Sequence, residues 1–245
     1  MNKYRLWREK AVRDEDIARE LESVYGDEAE IYDRFYRDLE FGTGGLRGVI
    51  GAGTNRMNIY TVCRATQGMA DFISMSGGAR SVAVAYDSRI KSEAFARAAA
   101  EVFAGNGIKV YIYSELMPTP MLSFAVRELG CGAGVMITAS HNPSKYNGYK
   151  AYGGDGCQLN LTDSEKVIEL TEKVDIFSGV KRMDFDAAQK KGMVEYIDHE
   201  LIESYLRRVE EQAVDREVCR TSPLKVIYTP LNGAGNKPVR AILNR

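Results

Sequence analysis

Apolar positions in the first forty residues recur at helical spacing. Ile17, Leu21 and Val24 fall on one stripe, and Ile31, Tyr32, Phe35, Tyr36 and Leu39 repeat it further on. Residues 1–40 therefore predict two helices, over 14–25 and 29–39, whose charged faces meet solvent and whose apolar faces pack on the next domain. Asn58 then opens a helical stripe that runs through Ile73 and ends at Gly77-Gly78. From there short apolar runs alternate with helices. Residues 81–86 predict a strand, Ser92 caps a helix to about Gly105, and 108–113 predict a second strand. Thr119 caps a helix with Pro120 at its first position, and 134–138 form a third strand. This succession makes parallel crossover connections the default.

The rest of the chain is less regular. Residues 149–152 return as a short antiparallel strand, and Thr162 with Glu165 forms a capping box for a helix through Val174. The stretch 184–195 reads as charged and irregular with a strand-like 193–196, then a long amphipathic helix over 197–214. Residues 224–229 predict a buried strand, 231–235 a turn and 237–243 a helix start. A strand and a fraction of a helix cannot bury their own faces, so this looks like the opening of a second α/β domain. The predicted fold is a three-layer α/β/α sandwich with a mixed, mostly parallel sheet. The predicted organisation is a helical arm (1–40), the α/β domain (41–197), and a connector helix with a truncated second domain (198–245).

Composition narrows the partners. With 245 residues and 44% hydrophobic content the chain buries a sizeable core. Thirty-three basic residues against thirty-four acidic ones leave a net charge of -1, so no global basic field argues for nucleic acid or for an anionic membrane. Cys63, Cys131, Cys157 and Cys219 lie far apart without a C-x-x-C pair, no Cys/His cluster has the spacing of a zinc site, and no apolar leader opens the chain. Free thiols in a core and a cytoplasmic location are expected.

Chemistry gathers in 132–153, GAGVMITASHNPSKYNGYKAYG. A buried strand delivers Ser140 and His141 to a loop at a carboxyl strand end, where parallel sheets bind ligands. Asn142-Pro143 stops strand or helix, Asn147-Gly148 tolerates positive φ, and Lys145 and Lys150 bring charge. Ser140 and Asn142 could simply cap a turn. Ser140 and His141 could be nucleophile and base, although neighbours in an extended segment point to opposite faces. Ser140 could instead carry a phosphate met by backbone N–H groups, Lys150 and a divalent metal. Residue types alone leave these open. Upstream, 42–53 is a glycine-rich segment without the Lys-Ser/Thr ending of a nucleotide P-loop. Asp87-Ser88-Arg89 is a strand-end loop in which an Asp-x-Arg pair more often braces its own turn, which leaves both as secondary candidates.

Two stretches together carry a resemblance. TASHNPSKYNGYK closely resembles the serine loop of the α-D-phosphohexomutases, the phosphoglucomutase and phosphomannomutase family, and LEFGTGGLRG resembles that family's opening FGTxGxRG segment. KVIYTPLNGAG, near the end, resembles the start of the second mutase domain. The resemblance implies an isomerase that moves phosphate between O1 and O6 of a glucose or mannose phosphate through phosphorylated Ser140 and a sugar 1,6-bisphosphate, which also serves as activator. It implies catalytic roles for Ser140, Lys150, Arg47 and His141. Arg47 grips two phosphate oxygens at once, Lys150 pairs the phosphate or shuttles a hydroxyl proton, and His141 contacts the phosphoserine. Mg²⁺ is implied, with the Ser140 phosphate as one ligand and the others outside this chain. The Asp-Gly-Asp-x-Asp-Arg metal loop and the Gly-Glu-x-Ser-Gly sugar loop of the family do not occur here. The remaining domains are therefore expected beyond Arg245, and the 245 residues alone are expected to be inactive. The alternatives are a non-catalytic module that binds a sugar phosphate or a protein, and a serine hydrolase, which the lack of a G-x-S-x-G elbow disfavours.

Overall fold

A computed structural model describes residues 2–42 and 44–245, apart from the side chains of Arg216 and Cys219. Three helices, not two, open the chain: α1 (Asn2–Lys10), α2 (Glu15–Ser23) and α3 (Glu28–Phe35). The helix that the periodicity misses is α1; α2 begins at the expected place, where the Asp14 side chain accepts from the Asp16 and Ile17 amides, and Asp27 starts α3 by bonding the Glu30 amide. The buried faces of these helices close around Trp7, which is 1% exposed and meets the rings of Phe35, Tyr60 and Phe177 edge-on. The arm is thus packed against the α/β body through Tyr60 and Phe177.

The body is a seven-stranded sheet. Its strands are β1 (Phe41–Gly42), β2 (Gly45–Val49), β3 (Ser81–Tyr86), β4 (Lys109–Ile112), β5 (Ala133–Ile137), β6 (Tyr146–Gly153) and β7 (Val194–Tyr196), in the order β1-β2-β6-β5-β3-β4-β7. The four strands β5, β3, β4 and β7 pair in parallel, and β6, β2 and β1 add an antiparallel edge. On one face lie α4 (Ile59–Ser76), α5 (Ser92–Gly105), α7 (Leu161–Glu172) and α8 (Phe185–Lys190), and on the other α6 (Thr119–Glu128) and α9 (His199–Glu210). The sandwich is three-layered. Alternation along the strands sorts the side chains: Val135, Ile137, Tyr149 and Ala151 enter the α4/α5 core, while Met136 and Tyr152 enter the α6/α9 core.

Several local expectations change. Residues 45–49, within the glycine-rich segment 42–53 for which the pattern predicts no strand, form β2, because Gly45 allows an approach that no side chain permits: at its φ of +155° a Cβ would stand 1.9 Å from the Tyr149 carbonyl oxygen. Ser92 is not the cap of α5; Lys91, in the left-handed conformation at φ 64°, precedes it. Pro118 caps α6, so Thr119 and Pro120 fall inside the helix. Asn160, not Thr162, caps α7 through the Asp163 amide. The stretch 184–195 holds α8, started by the Asp184 side chain, and α9 ends at Glu210 rather than at 214. Cys63 and Cys131 are buried, and burial pushes their thiols up to about 12 and about 11, whereas Cys157 is exposed on a turn. Cys219 lies outside the described side chains.

The largest departure lies near the C-terminus, after α10 (Arg216–Thr221). Residues 224–229, expected as a buried strand, form no regular structure, and Leu224, Val226 and Ile227 are exposed. Apolar β-branched residues make a strand only beside a partner strand, and none pairs here among the described residues. A turn and α11 (Asn236–Leu243) come next, as expected. No helix among the described residues is long and apolar enough to cross a membrane.

A pH-dependent clamp joins the arm to the body. Lys3 of α1 and Arg64 of α4 each donate to Asp38 at 2.7 Å. Burial pushes the Asp38 carboxyl up, but the two hydrogen bonds and the charges behind them outweigh burial and hold it below the usual carboxylate value. With the folded value depressed, this stabilisation is present above the unfolded value, about pH 4, and is lost as pH falls through the lower folded value. Asp38→Asn is therefore expected to lower the urea midpoint at neutral pH and to flatten its decline in acid, measured as midpoint against pH.

Candidate active site

The order β5-β3-β4 places the switch point of the sheet between β3 and β5. After β3 the chain turns to α5 on one face, and the helix before β5, α6, lies on the other. The loops leaving the carboxyl ends of β3 and β5, the second returning as β6 in the same sheet, lie on the side where open α/β sheets take ligands. The two loops are 87–91 and 138–145.

The serine loop starts from a hydrogen-bonded chain. Asp87 lies just past β3, its amide bonded to the Ile137 carbonyl. Its Oδ2 accepts from Thr138 Oγ1 at 2.5 Å, and Thr138 Oγ1 in turn accepts the Ser140 N–H at 2.9 Å. Asp87 Oδ1 takes Ser92 Oγ at 2.9 Å and the Arg89 amide at 3.1 Å. Arg89, its side chain 11% exposed, donates to the carbonyls of Ser140 and Asn142 through Nη2, at 2.7 and 2.6 Å, and to those of Pro143 and Tyr146 through Nη1, both at 3.0 Å. Its Nε stands 3.6 Å from Asp87 Oδ2. The expected brace within the Asp-x-Arg turn exists, yet most of its bonds reach the serine loop.

Ser140 itself has φ 57°, a left-handed conformation unusual for a non-glycine residue. Asn147 and Gly148, expected to supply positive φ, lie inside β6 instead. Asn147 is fully buried and donates to the Ile90 carbonyl and Ser92 Oγ, both at 3.0 Å. Gly148 is needed for close packing, since a Cβ there would lie 2.5 Å from the Thr138 carbonyl oxygen. The left-handed turn also corrects the extended-segment reading: Ser140 Oγ comes within 3.2 Å of His141 Nδ1, and both side chains are exposed.

Ser140 and His141 line a cleft of about 1210 Å³, together with Asp87, Ser88, Arg89 and the turn 230–236. Ser88 Oγ donates to the Asn232 carbonyl and Lys237 pairs with Glu115, which seat that turn over the cleft. Arg47 and Lys150 do not share the cleft. They line an adjoining recess of about 210 Å³ with Gly44, Gly45 and Gln158, and Thr138 borders both. Sheet register explains their company. Gly45 pairs with Lys150 and Arg47 with Gly148, so alternation puts Arg47 and Lys150 on one face of the sheet. Neither makes an ion pair or side-chain hydrogen bond among the described residues. Lys145 lies away from both spaces, exposed beside the Tyr146 ring.

For a hard divalent cation the chain offers little. Among the described residues no three His, Cys, Asp or Glu side chains converge, and both oxygens of Asp87, which borders the serine loop, already accept hydrogen bonds. The donor set of this chain alone does not fit a magnesium site, and no step of the chemistry is routed through one.

Fold and site together define an α/β/α domain that sets one exposed serine hydroxyl at a sheet's switch point, next to two cations without partners among the described residues. Residues 38–176 match the family model described as phosphoglucomutase/phosphomannomutase, alpha/beta/alpha domain I, which covers more than half of the chain. The chain belongs to the phosphoglucomutase/phosphomannomutase family and carries its α/β/α domain I. A phosphoglucomutase of Staphylococcus saprophyticus is 38% identical over 205 residues, covering 84% of this chain and 37% of that protein. A phosphoribomutase of Saccharomyces cerevisiae is 36% identical over 222 residues, 84% and 35% of the respective lengths. Among solved structures, a phosphoglucomutase/phosphomannomutase family protein from Burkholderia thailandensis matches with TM-score 0.62 at 21% identity, over 83% of this chain and 41% of that one. Parafusin from Paramecium, in its open form, matches with TM-score 0.66 at 16% identity, over 84% and 41%. These two likenesses speak for the fold. The chain spans about a third of the length of the curated relatives it matches.

Proposed function

We propose that this chain is the serine-bearing part of an enzyme that moves phosphate between O1 and O6 of a hexose phosphate, glucose or mannose, through phosphorylated Ser140 and a sugar 1,6-bisphosphate. The observation that carries the reading is Ser140 held outward at the mouth of the cleft, with Arg47 and Lys150 uncommitted in the recess beside it. In the first half-reaction the bond from phosphorus to Ser140 Oγ breaks as one forms to a free sugar hydroxyl. The proton leaving that hydroxyl is balanced by the one Ser140 Oγ regains, and His141 Nδ1, 3.2 Å away, is placed to hold it. The second half runs in reverse on the other phosphate after the sugar has turned over. Negative charge spreads over the transferring oxygens, and Arg47 and Lys150 neutralise it, the guanidinium by a two-pronged grip. Were Mg²⁺ bound, the Ser140 phosphate would be the one ligand that this chain contributes to it. The phosphoribomutase among the relatives brings a pentose phosphate into the same substrate class.

The test uses the full-length protein, incubated with glucose 1,6-bisphosphate and Mg²⁺ and then digested for peptide mapping. One phosphoryl group is expected on Ser140, together with interconversion of glucose 1-phosphate and glucose 6-phosphate or of the mannose pair. An unmodified Ser140 and no turnover of glucose, mannose or ribose phosphates would sink the reading.

A further inference from the structure

We infer that Arg89 is a positioning residue for the chemistry at Ser140, an inference that rests on the proposed phosphoserine reaction. A tight loop of this shape turns four carbonyl oxygens inward, those of Ser140, Asn142, Pro143 and Tyr146, and one guanidinium satisfies all four. Only a planar fork with several divergent N–H groups does this from a single side chain; a lysine ammonium presents three donors at one point.

The arrangement acts on Ser140 from both sides. Its own carbonyl is held by Arg89, and its own N–H is held by Thr138. Both holders are anchored on one carboxylate, Asp87 Oδ2. A left-handed, non-glycine backbone persists where its surroundings over-determine it, and here the two peptide groups that define Ser140 are each fixed to the same strand end. The direction in which Oγ projects into the cleft is thereby set by β3, a central strand, rather than by the exposed loop. Arg89 touches no reacting atom in this arrangement; it acts through the loop backbone, and that predicts an effect on turnover rather than on substrate binding.

The experiment compares Arg89→Lys and Arg89→Ala in the full-length enzyme by kcat, KM, urea midpoint and amide hydrogen exchange of residues 140–146. Misplacement of a reacting group by about 1 Å costs on the order of 10²-fold in rate, so Arg89→Ala is expected to lower kcat by about that factor. Arg89→Lys, which keeps the charge and loses the fork, is expected to lower kcat about tenfold, with KM within about twofold and the urea midpoint unchanged. Exchange in 140–146 is expected to quicken in both. If Arg89→Ala fails to fold, the lysine variant carries the test. Unchanged kcat, or a fall in kcat that tracks the urea midpoint while loop exchange stays as in the parent, overturns the inference. Failure of the mutase reading looks different: the unsubstituted enzyme then shows no turnover, while loop exchange still responds to Arg89→Lys.

Discussion

Ser140→Gly is expected to stabilise the domain and abolish its chemistry together. The hydroxyl is the phosphate carrier in the proposed reaction, so its removal leaves no route for transfer, and turnover of the full-length enzyme should fall by on the order of 10⁴-fold or more, as for other nucleophile deletions. The backbone at φ 57° costs a non-glycine residue about 1–2 kcal/mol, which glycine does not incur. Against this stands the greater freedom of glycine in the unfolded chain, so the net gain expected in urea unfolding is about 1 kcal/mol or less. Ser140→Ala separates the two effects: it should lose the same activity without the gain in stability. Retained turnover in either variant would remove Ser140 from the mechanism. A loss of stability in the glycine variant larger than the roughly 0.5–1 kcal/mol that glycine's unfolded-state freedom costs would show that the left-handed turn carries no strain to relieve.

Trp7→Ala is expected to destabilise the fold by about 3–5 kcal/mol, the cost of deleting a large aromatic side chain from a closed core. The indole meets three other rings at centroid distances of 5.4 to 5.8 Å, and two of them, Tyr60 and Phe177, belong to the body rather than to the arm. Its loss would therefore loosen the seam between the helices 2–35 and the sheet, on top of the cavity itself. Unfolding monitored by circular dichroism checks the magnitude. Because Trp7 is the only tryptophan, its fluorescence in the parent protein also reports the seam between arm and body. A single transition seen by both probes shows arm and body unfolding as one unit, and an earlier fluorescence transition would show that the arm undocks first.

The sequence by itself determined the alternation of strands and helices from β3 to β5, the antiparallel return of β6 and the three-layer class, because each of those segments buries a face whose period is written in its own residues. It also singled out the serine loop and the upstream glycine segment, since both resemble a known family over long and unusual motifs. Thr138, Asp87 and Arg89 were not legible as the supports of Ser140. An Asp-x-Arg turn at a strand end is a weak local signal, and its partners lie more than fifty residues away, reached only when β3 and β5 pair. The same holds for 45–49, where loop-like glycines make a strand because the neighbouring backbone comes too close for any side chain. It holds in the opposite sense for 224–229, where a strand-like pattern finds no partner strand among the described residues. Local pattern decides which face a segment hides. Tertiary pairing decides which backbones meet, and with them the left-handed turn at Ser140 and the separation of Arg47 and Lys150 into a recess of their own.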